Sequence, residues 1–310
     1  MVLSNGYASA LGIIKEMEMS DKIVVLGEDV KCGGIFGQYR PLVDKFADRL
    51  IDTPISEIAI TSGGIGMALV GMRPIIDLRA VDFALCAMDE IVNQAAKHRY
   101  MYGGQTRLPI VLRMAAGVWD DSASQHSNSL ESWFTHIPGL SVVYVSNPQS
   151  AYSLMRAALQ ANDPVVFIEG KMGWKKTGEV DESVSMELGK GRKILHGEEL
   201  TIVSWGAQVE ACEKAIIESG KSVDLIDLQS LWPWDKEMVL SSCMKTKNLL
   251  VVHEAIQVGG FGAEIAATVA EHVGCRVRRL GAPRIPVGYA RSLEGEARVS
   301  VEQIVKSISS

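Results

Sequence analysis

Short apolar runs alternate with amphipathic stretches along this chain, and that alternation limits the folds open to it more than any other feature. Residues 23–27, 74–78, 109–114, 141–145 and 165–169 are compact runs dominated by Val, Ile and Leu. Helical spacing of apolar residues marks 7–18, 41–50, 83–101 and 148–160. Continuous apolar strands are those buried on both faces. Strands of that kind separated by helices predict a parallel sheet covered on both sides. A polar stretch at 170–191, rich in Gly, Lys and Glu, interrupts the pattern. It then restarts with strands at 200–205, 222–228, 249–255 and 276–281, and helices at 207–219, near 235–243 and at 261–272. The expected fold is α/β in two domains, each a mostly parallel sheet flanked by helices. Residues 1–175 and 191–310 form the domains and 176–190 the linker, a division that suits a chain of 310 residues.

Composition narrows the function classes. Hydrophobic residues make up 47% and charged residues 22%, an ordinary globular balance. The net charge is −6 and no long basic tract occurs, which argues against nucleic acid as the main partner. Arg276, Arg278 and Arg279 cluster, and the expectation for them is a solvated strand end or an interface. No apolar run has the length of a signal-peptide core or of a membrane span. The five cysteines are scattered and never spaced as CxxC, so they read as reduced thiols of a cytoplasmic protein, with no zinc site.

Motifs for nucleotides and hydrolysis are weak or absent. The run 63-GGIGMALVG-71 places Leu69 where a dinucleotide fingerprint needs a third small residue, and no clear strand precedes it. Its glycines read as small residues that let another backbone approach. The run 259-GGFGAEIAA-267 is a glycine turn opening a helix, a geometry that could meet an anion. There is no GxxxxGK[ST] and no GxSxG. Two residues stand out instead. Glu57 starts an apolar segment, with Ser56 as a candidate N-cap and the helix dipole favouring its charge. Capping does not explain Ile55, Ile58 and Ile60 around it, which would desolvate the carboxylate unless a polar partner met it. His126 lies in a long, polar, aperiodic segment after a strand, where nothing structural accounts for an imidazole and a proton carrier would be at home. His136 reads as structural and His253 stays open.

Several stretches taken together resemble one family. They are 53-TPISE-57, 63-GGIGMAL-69, the helix-like run 82–105, the segment 124–148, 164-PVVFIE-169 and 251-VVHEAIQVGGFGAEIAA-267. In this order they resemble the beta subunit of the thiamine-diphosphate-dependent 2-oxo acid dehydrogenases, in the pyruvate, branched-chain and acetoin branches. The second and third domains of transketolase are more distantly similar. The resemblance implies that Glu57 hydrogen-bonds a ring nitrogen of the cofactor's aminopyrimidine and favours the tautomer that activates the thiazolium carbon. Ile55 matches the apolar position beside the pyrimidine, Phe83 the aromatic that stacks on it, and His126 the histidine that faces the substrate.

The family binds the cofactor's diphosphate through Mg²⁺ on a GDG…N motif, which this chain lacks. The resemblance therefore implies a separate alpha subunit that supplies the diphosphate side, an α₂β₂ assembly, and a chain inactive by itself. A lipoyl acyltransferase is the implied acyl acceptor. Two departures bear on the substrate. Arg79 stands where the family more often has a neutral residue. It either pairs with Asp77 or Asp82 or meets a carboxylate or phosphate of the substrate. The loop 118-VWDDSAS-124 carries Trp and two Asp where relatives have more glycine. These leave open a split transketolase or acyloin-forming synthase subunit, and a non-catalytic assembly partner.

Overall fold

The computed structural model describes residues 1–119 and 121–310. Strand β1 (Val2–Ser4) leads into α1 (Asn5–Met19), whose N-cap Ser4 accepts a hydrogen bond from Tyr7 N. Next come β2 (Ile23–Gly27), α2 (Arg40–Phe46), β3 (Leu50–Asp52) and α3 (Glu57–Leu69). They are followed by β4 (Arg73–Ala80), α4 (Val81–Ala84), α5 (Ala96–Met101) and β5 (Val111–Ala116). The half closes with α6 (Glu131–Thr135), β6 (Ser141–Val145), α7 (Pro148–Gln160) and β7 (Val165–Gly170). Six of these strands pair in parallel in the order β6-β7-β5-β4-β2-β3.

Period-two alternation divides each strand between two cores. Val25 and Ile75 join Ile13, Met17, Tyr152 and Met155 beneath α1 and α7. Leu26 and Ile76 face the opposite way, toward Ile60, Ile65 and Ile91. Both faces of the sheet are buried, as the apolar runs predict. The stretch 83–101, expected as one amphipathic helix, is broken. A 3-10 turn at Leu85–Ala87 and a π-helical segment at Glu90–Ala95 lie between α4 and α5. The cause is spacing. Val81, Ala84, Ala87, Ile91 and Ala95 are all buried, at intervals of three and then four residues. A tight turn followed by a wide one keeps that stripe on the sheet.

The stretch after β7 is not featureless. It contains β8 (Thr177–Glu179), which pairs antiparallel with β1. The second half holds β9 (Arg192–Leu195), β10 (Leu200–Ser204), α8 (Gln208–Ser219) and β11 (Val223–Asp227). Then come β12 (Ser230–Trp232), α9 (Lys236–Thr246), β13 (Asn248–Ile256), α10 (Gly262–His272) and β14 (Arg276–Ala282). Helices α11 (Arg291–Glu296) and α12 (Val301–Ser309) end the chain. The second sheet runs β14-β13-β10-β11-β9, parallel except for β9. β12 leaves its own half and adds an antiparallel edge to β6 of the first sheet.

The arginine cluster is an internal fastener. Arg276 and Arg278 donate to the carbonyls of Ser310 and Ser307 and so dock α12, while Arg279 donates to Gln257 O. Among the described residues no helix is long and apolar enough to cross a membrane. One turn is sterically exacting. Gly139 has φ +102°, and a Cβ there would press into the carbonyl oxygen of Ala96. Gly139→Ala is expected to cost about 3 kcal/mol, read from urea unfolding, because neither the backbone nor its neighbour can yield cheaply.

Candidate functional site

The carboxyl ends of β2, β4, β5 and β7 open on one edge of the first sheet, the place where α/β folds form crevices. Asp77, buried in the second half of β4, organises this edge. Its Oδ2 accepts from Tyr39 Oη at 2.5 Å and from Gln38 Nε2 at 3.5 Å, and its Oδ1 accepts from Arg79 N at 2.8 Å. Arg79 is thereby held at φ +60°. Its guanidinium pairs with Glu28, just beyond β2, at 2.6 Å. The expected pairing with Asp77 or Asp82 is not formed, because Asp77 takes the backbone N–H of Arg79 and Asp82 is committed elsewhere.

Asp82 draws two of the candidate residues together. Its Oδ1 accepts from the side-chain amide of Asn128 at 2.5 Å and from Asn128 N at 3.3 Å. Its Oδ2 lies 3.5 Å from the Lys171 ammonium, which also donates to the carbonyl of His126. The knot joins the start of α4, the loop after β5 and the end of β7. As a result the Phe83 and His126 rings meet edge to face, with centroids 5.2 Å apart and planes at 87°. His126 is exposed and Phe83 half-buried. Lys171 is buried, and desolvation lowers its pKa despite the Asp82 charge. Sequence reasoning considered Asp82 only as a partner for Arg79 and missed Asn128 and Lys171, which lie far from it in the chain.

Glu57 is the first residue of α3, as expected, but the surroundings differ from expectation. Ser56 makes no side-chain cap. Ile55 is 73% exposed and Ile58 53%, and only Ile60 is buried. Glu57 is half-buried, and its carboxylate has no hydrogen-bond or ion-pair partner among the described residues. The flanking isoleucines therefore do not desolvate Glu57 within this chain. They form an apolar border open to whatever covers the helix start. α3 packs beside the 3-10 and π-helical turns that continue from Phe83.

The second half fixes the His126 loop from above. Ser124 Oγ donates to Val287 O at 2.6 Å, Asp121 N donates to Glu294 at 2.8 Å, and Arg291 pairs with Asp121 at 3.1 Å. Glu254, at the end of β13, accepts from Val118 N at 3.0 Å and from Tyr144 Oη at 3.4 Å. Gly117, φ +92°, is required there because a Cβ would overlap that carboxylate. Desolvation pushes Glu254 up. Glu131, fully buried, accepts from Trp205 Nε1 at 3.1 Å, and burial raises its pKa to about 7. His253 stacks on Trp205 at 5.2 Å, and burial lowers its pKa to about 4. Its ring explains the glycine turn. A Cβ at Gly260, Gly262 or Gly281 would come within 2.7 Å of the imidazole. His136, expected to be structural, is exposed and caps α6 only through its backbone N–H.

Among the described residues no group of three or more His, Cys, Asp or Glu is placed to share a metal ion. Phe83 and His126 are in contact here, and Glu57 starts the helix that packs beside the turns following Phe83; an aromatic ring, an imidazole and an acid suit a planar heterocycle and a proton.

Comparisons with known proteins agree on a lineage. Residues 2–175 match the family "Transketolase, pyrimidine binding domain", and residues 189–304 match "Transketolase, C-terminal domain". The acetoin:2,6-dichlorophenolindophenol oxidoreductase subunit beta of Cupriavidus necator is 36% identical, over 94% of this chain and 92% of that one. The 2-oxoisovalerate dehydrogenase subunit beta of Bacillus subtilis is 34% identical, over 98% and 96%. The chloroplastic pyruvate dehydrogenase E1 component subunit beta-2 of Arabidopsis thaliana is 34% identical, over 96% and 76%. A split gene transketolase, solved as an inactive beta4 tetramer, superposes with a TM-score of 0.82 over 99% of this chain and 97% of its own; at 19% identity it speaks for the fold. Matched from end to end by these proteins, the chain belongs to the transketolase-like family of beta subunits of 2-oxo acid and acetoin dehydrogenases.

Proposed function

We propose that this chain is the beta subunit of a thiamine-diphosphate enzyme that cleaves the bond next to a carbonyl of a 2-oxo acid or of acetoin and passes the acyl group to a lipoyl acceptor. One observation carries the reading: an unpartnered carboxylate at the start of α3 shares a strand-end edge with an aromatic ring already faced by an imidazole. These residues fit the pyrimidine half of the cofactor. The exposed Ile55 and half-buried Phe83 offer apolar surface, and the carboxyl of Glu57 has no hydrogen-bond or ion-pair partner among the described residues.

When bound, thiamine diphosphate supplies a carbon nucleophile. Glu57 holds a proton toward the heterocycle's ring nitrogen, and covering the helix start excludes water from that contact. Phe83 and Ile55 orient the ring. His126 moves a proton at the substrate's carbonyl oxygen, its loop steadied by Lys171 and Asn128. Arg79, paired with Glu28, is assigned to the anionic end of the substrate, for which it would exchange partners. A separate alpha subunit supplies the diphosphate and Mg²⁺ side in an α₂β₂ assembly, placed in the cytoplasm. The proposed domains are 1–175 and 191–310, with 176–190 as the linker, whose strand β8 pairs back to β1.

The test is to co-purify the partner and assay a panel of 2-oxo acids, acetoin and sugar phosphates. Turnover of sugar phosphates alone replaces this reading with a split transketolase. In the reconstituted enzyme, His126→Ala is expected to leave cofactor affinity unchanged and to slow turnover about 10²-fold. An unchanged rate removes His126 from the chemistry.

A further inference from the structure

A cavity of about 450 Å³ lies beside the reactive edge, between the turn after β2, the loop after β5 and the segment after β7. Its walls are aromatic. Phe36 meets Trp119 edge to face with centroids 5.1 Å apart and Trp174 at 5.4 Å, tilted by 53°. All three rings are half-buried, so each leaves a surface open to the cavity. They are also held in place. Trp174 packs over Gly6, where a Cβ would come within 2.8 Å of its indole nitrogen. The Arg113 guanidinium backs it at 5.6 Å and is itself fixed by two hydrogen bonds to the buried Glu169. Phe36 N donates to Gln38, tying the turn to the Asp77 network.

Among the described residues, the charge that lines this cavity has one sign. Arg40 and Lys175 are exposed at its rim, and neither has an ion-pair partner among the described residues. Lys171 contributes its buried stem and reaches on to the His126 carbonyl. Among the described residues no carboxylate lines it. A volume of this size suits a small organic ligand, rigid aromatic walls select a flat one, and unpaired rim cations select an anion.

We propose that this recess is a binding site for a carboxylate that carries a flat aromatic ring, distinct from the heterocycle site and joined to the His126 loop through Trp119 and Lys171. It goes beyond the reading above and does not depend on it. The test uses the full-length chain and calorimetric titration with phenylacetate, acetate and phenylacetamide. Intrinsic tryptophan fluorescence reports the location. Phenylacetate should bind at least tenfold more tightly than either control and quench the emission. The double reversal Arg40→Glu with Lys175→Glu, confined to exposed side chains, should weaken phenylacetate tenfold or more and leave phenylacetamide unchanged. Equal affinity for phenylacetamide, equal affinity for acetate, or no saturable binding overturns the proposal. So does binding that disappears once the partner subunit is assembled, because the rings would then be an interface. Failure of the panel assay with phenylacetate binding intact would remove the enzymatic reading and leave this site standing.

Discussion

Glu57→Gln is expected to reduce turnover of the reconstituted enzyme by roughly 10²–10⁴-fold, the range for loss of a positioned proton-transferring group. Glutamine keeps the length of the side chain and can still hydrogen-bond, but it cannot carry the proton that the proposed contact requires. Its effect on the fold should be small. A charge at a helix start contributes about 0.3–1 kcal/mol, and this carboxylate has no hydrogen bond or ion pair among the described residues. Thermal unfolding of the variant should therefore stay near that of the parent while steady-state turnover falls. Cofactor binding to the assembled enzyme, measured by titration, should weaken less than turnover does. A variant that turns over at the parental rate would make the chain a scaffold for its partner and end the proposed role of the residue.

Glu131→Gln should act on stability in the opposite sense, with an effect that depends on pH. Burial raises the Glu131 carboxyl to about 7, well above the value it takes in the unfolded chain. Between that ordinary value and 7 the folded protein keeps a proton that the unfolded chain has released, so the group's contribution to stability is lost as pH rises through this window. Below the window both states are protonated and the parent has nothing to gain. Above it, the parent bears a buried charge that the amide avoids. Glutamine preserves the acceptor for Trp205 Nε1. The variant should match the parent near pH 4.5 and exceed it by about 3 kcal/mol at pH 7.5. Urea unfolding at several pH values measures this. A difference that stays flat with pH would show that Glu131 ionises in the folded protein as it does in the unfolded chain.

Much of the fold could be read from periodicity, because the central strands are buried on both faces and announce themselves as apolar runs. What escaped were edges and short pairs. β1, β3, β8, β9 and β12 are three or four residues long, and strands so short carry no repeat. The stretch 83–101 was legible as helical but not as broken, because the break answers to the sheet beneath it. The site was legible only in part. Glu57 and His126 stood out because ordinary capping or packing left them unexplained. Nothing local signalled Lys171, Asp82 or Glu254, whose roles come from contacts across 45 to 136 residues. Ile55 shows the same limit. An apolar neighbour in sequence shields a charge only if the fold turns it inward, and here it faces out.

The strand that crosses from one half to the other has a practical corollary. Anyone who expresses residues 1–190 as an independent fragment would strip the outer margin from β6 and lay bare a row of backbone donors and acceptors. Such a fragment should associate with copies of itself, whereas adding a peptide that spans Ser230–Trp232 should restore a well-behaved product.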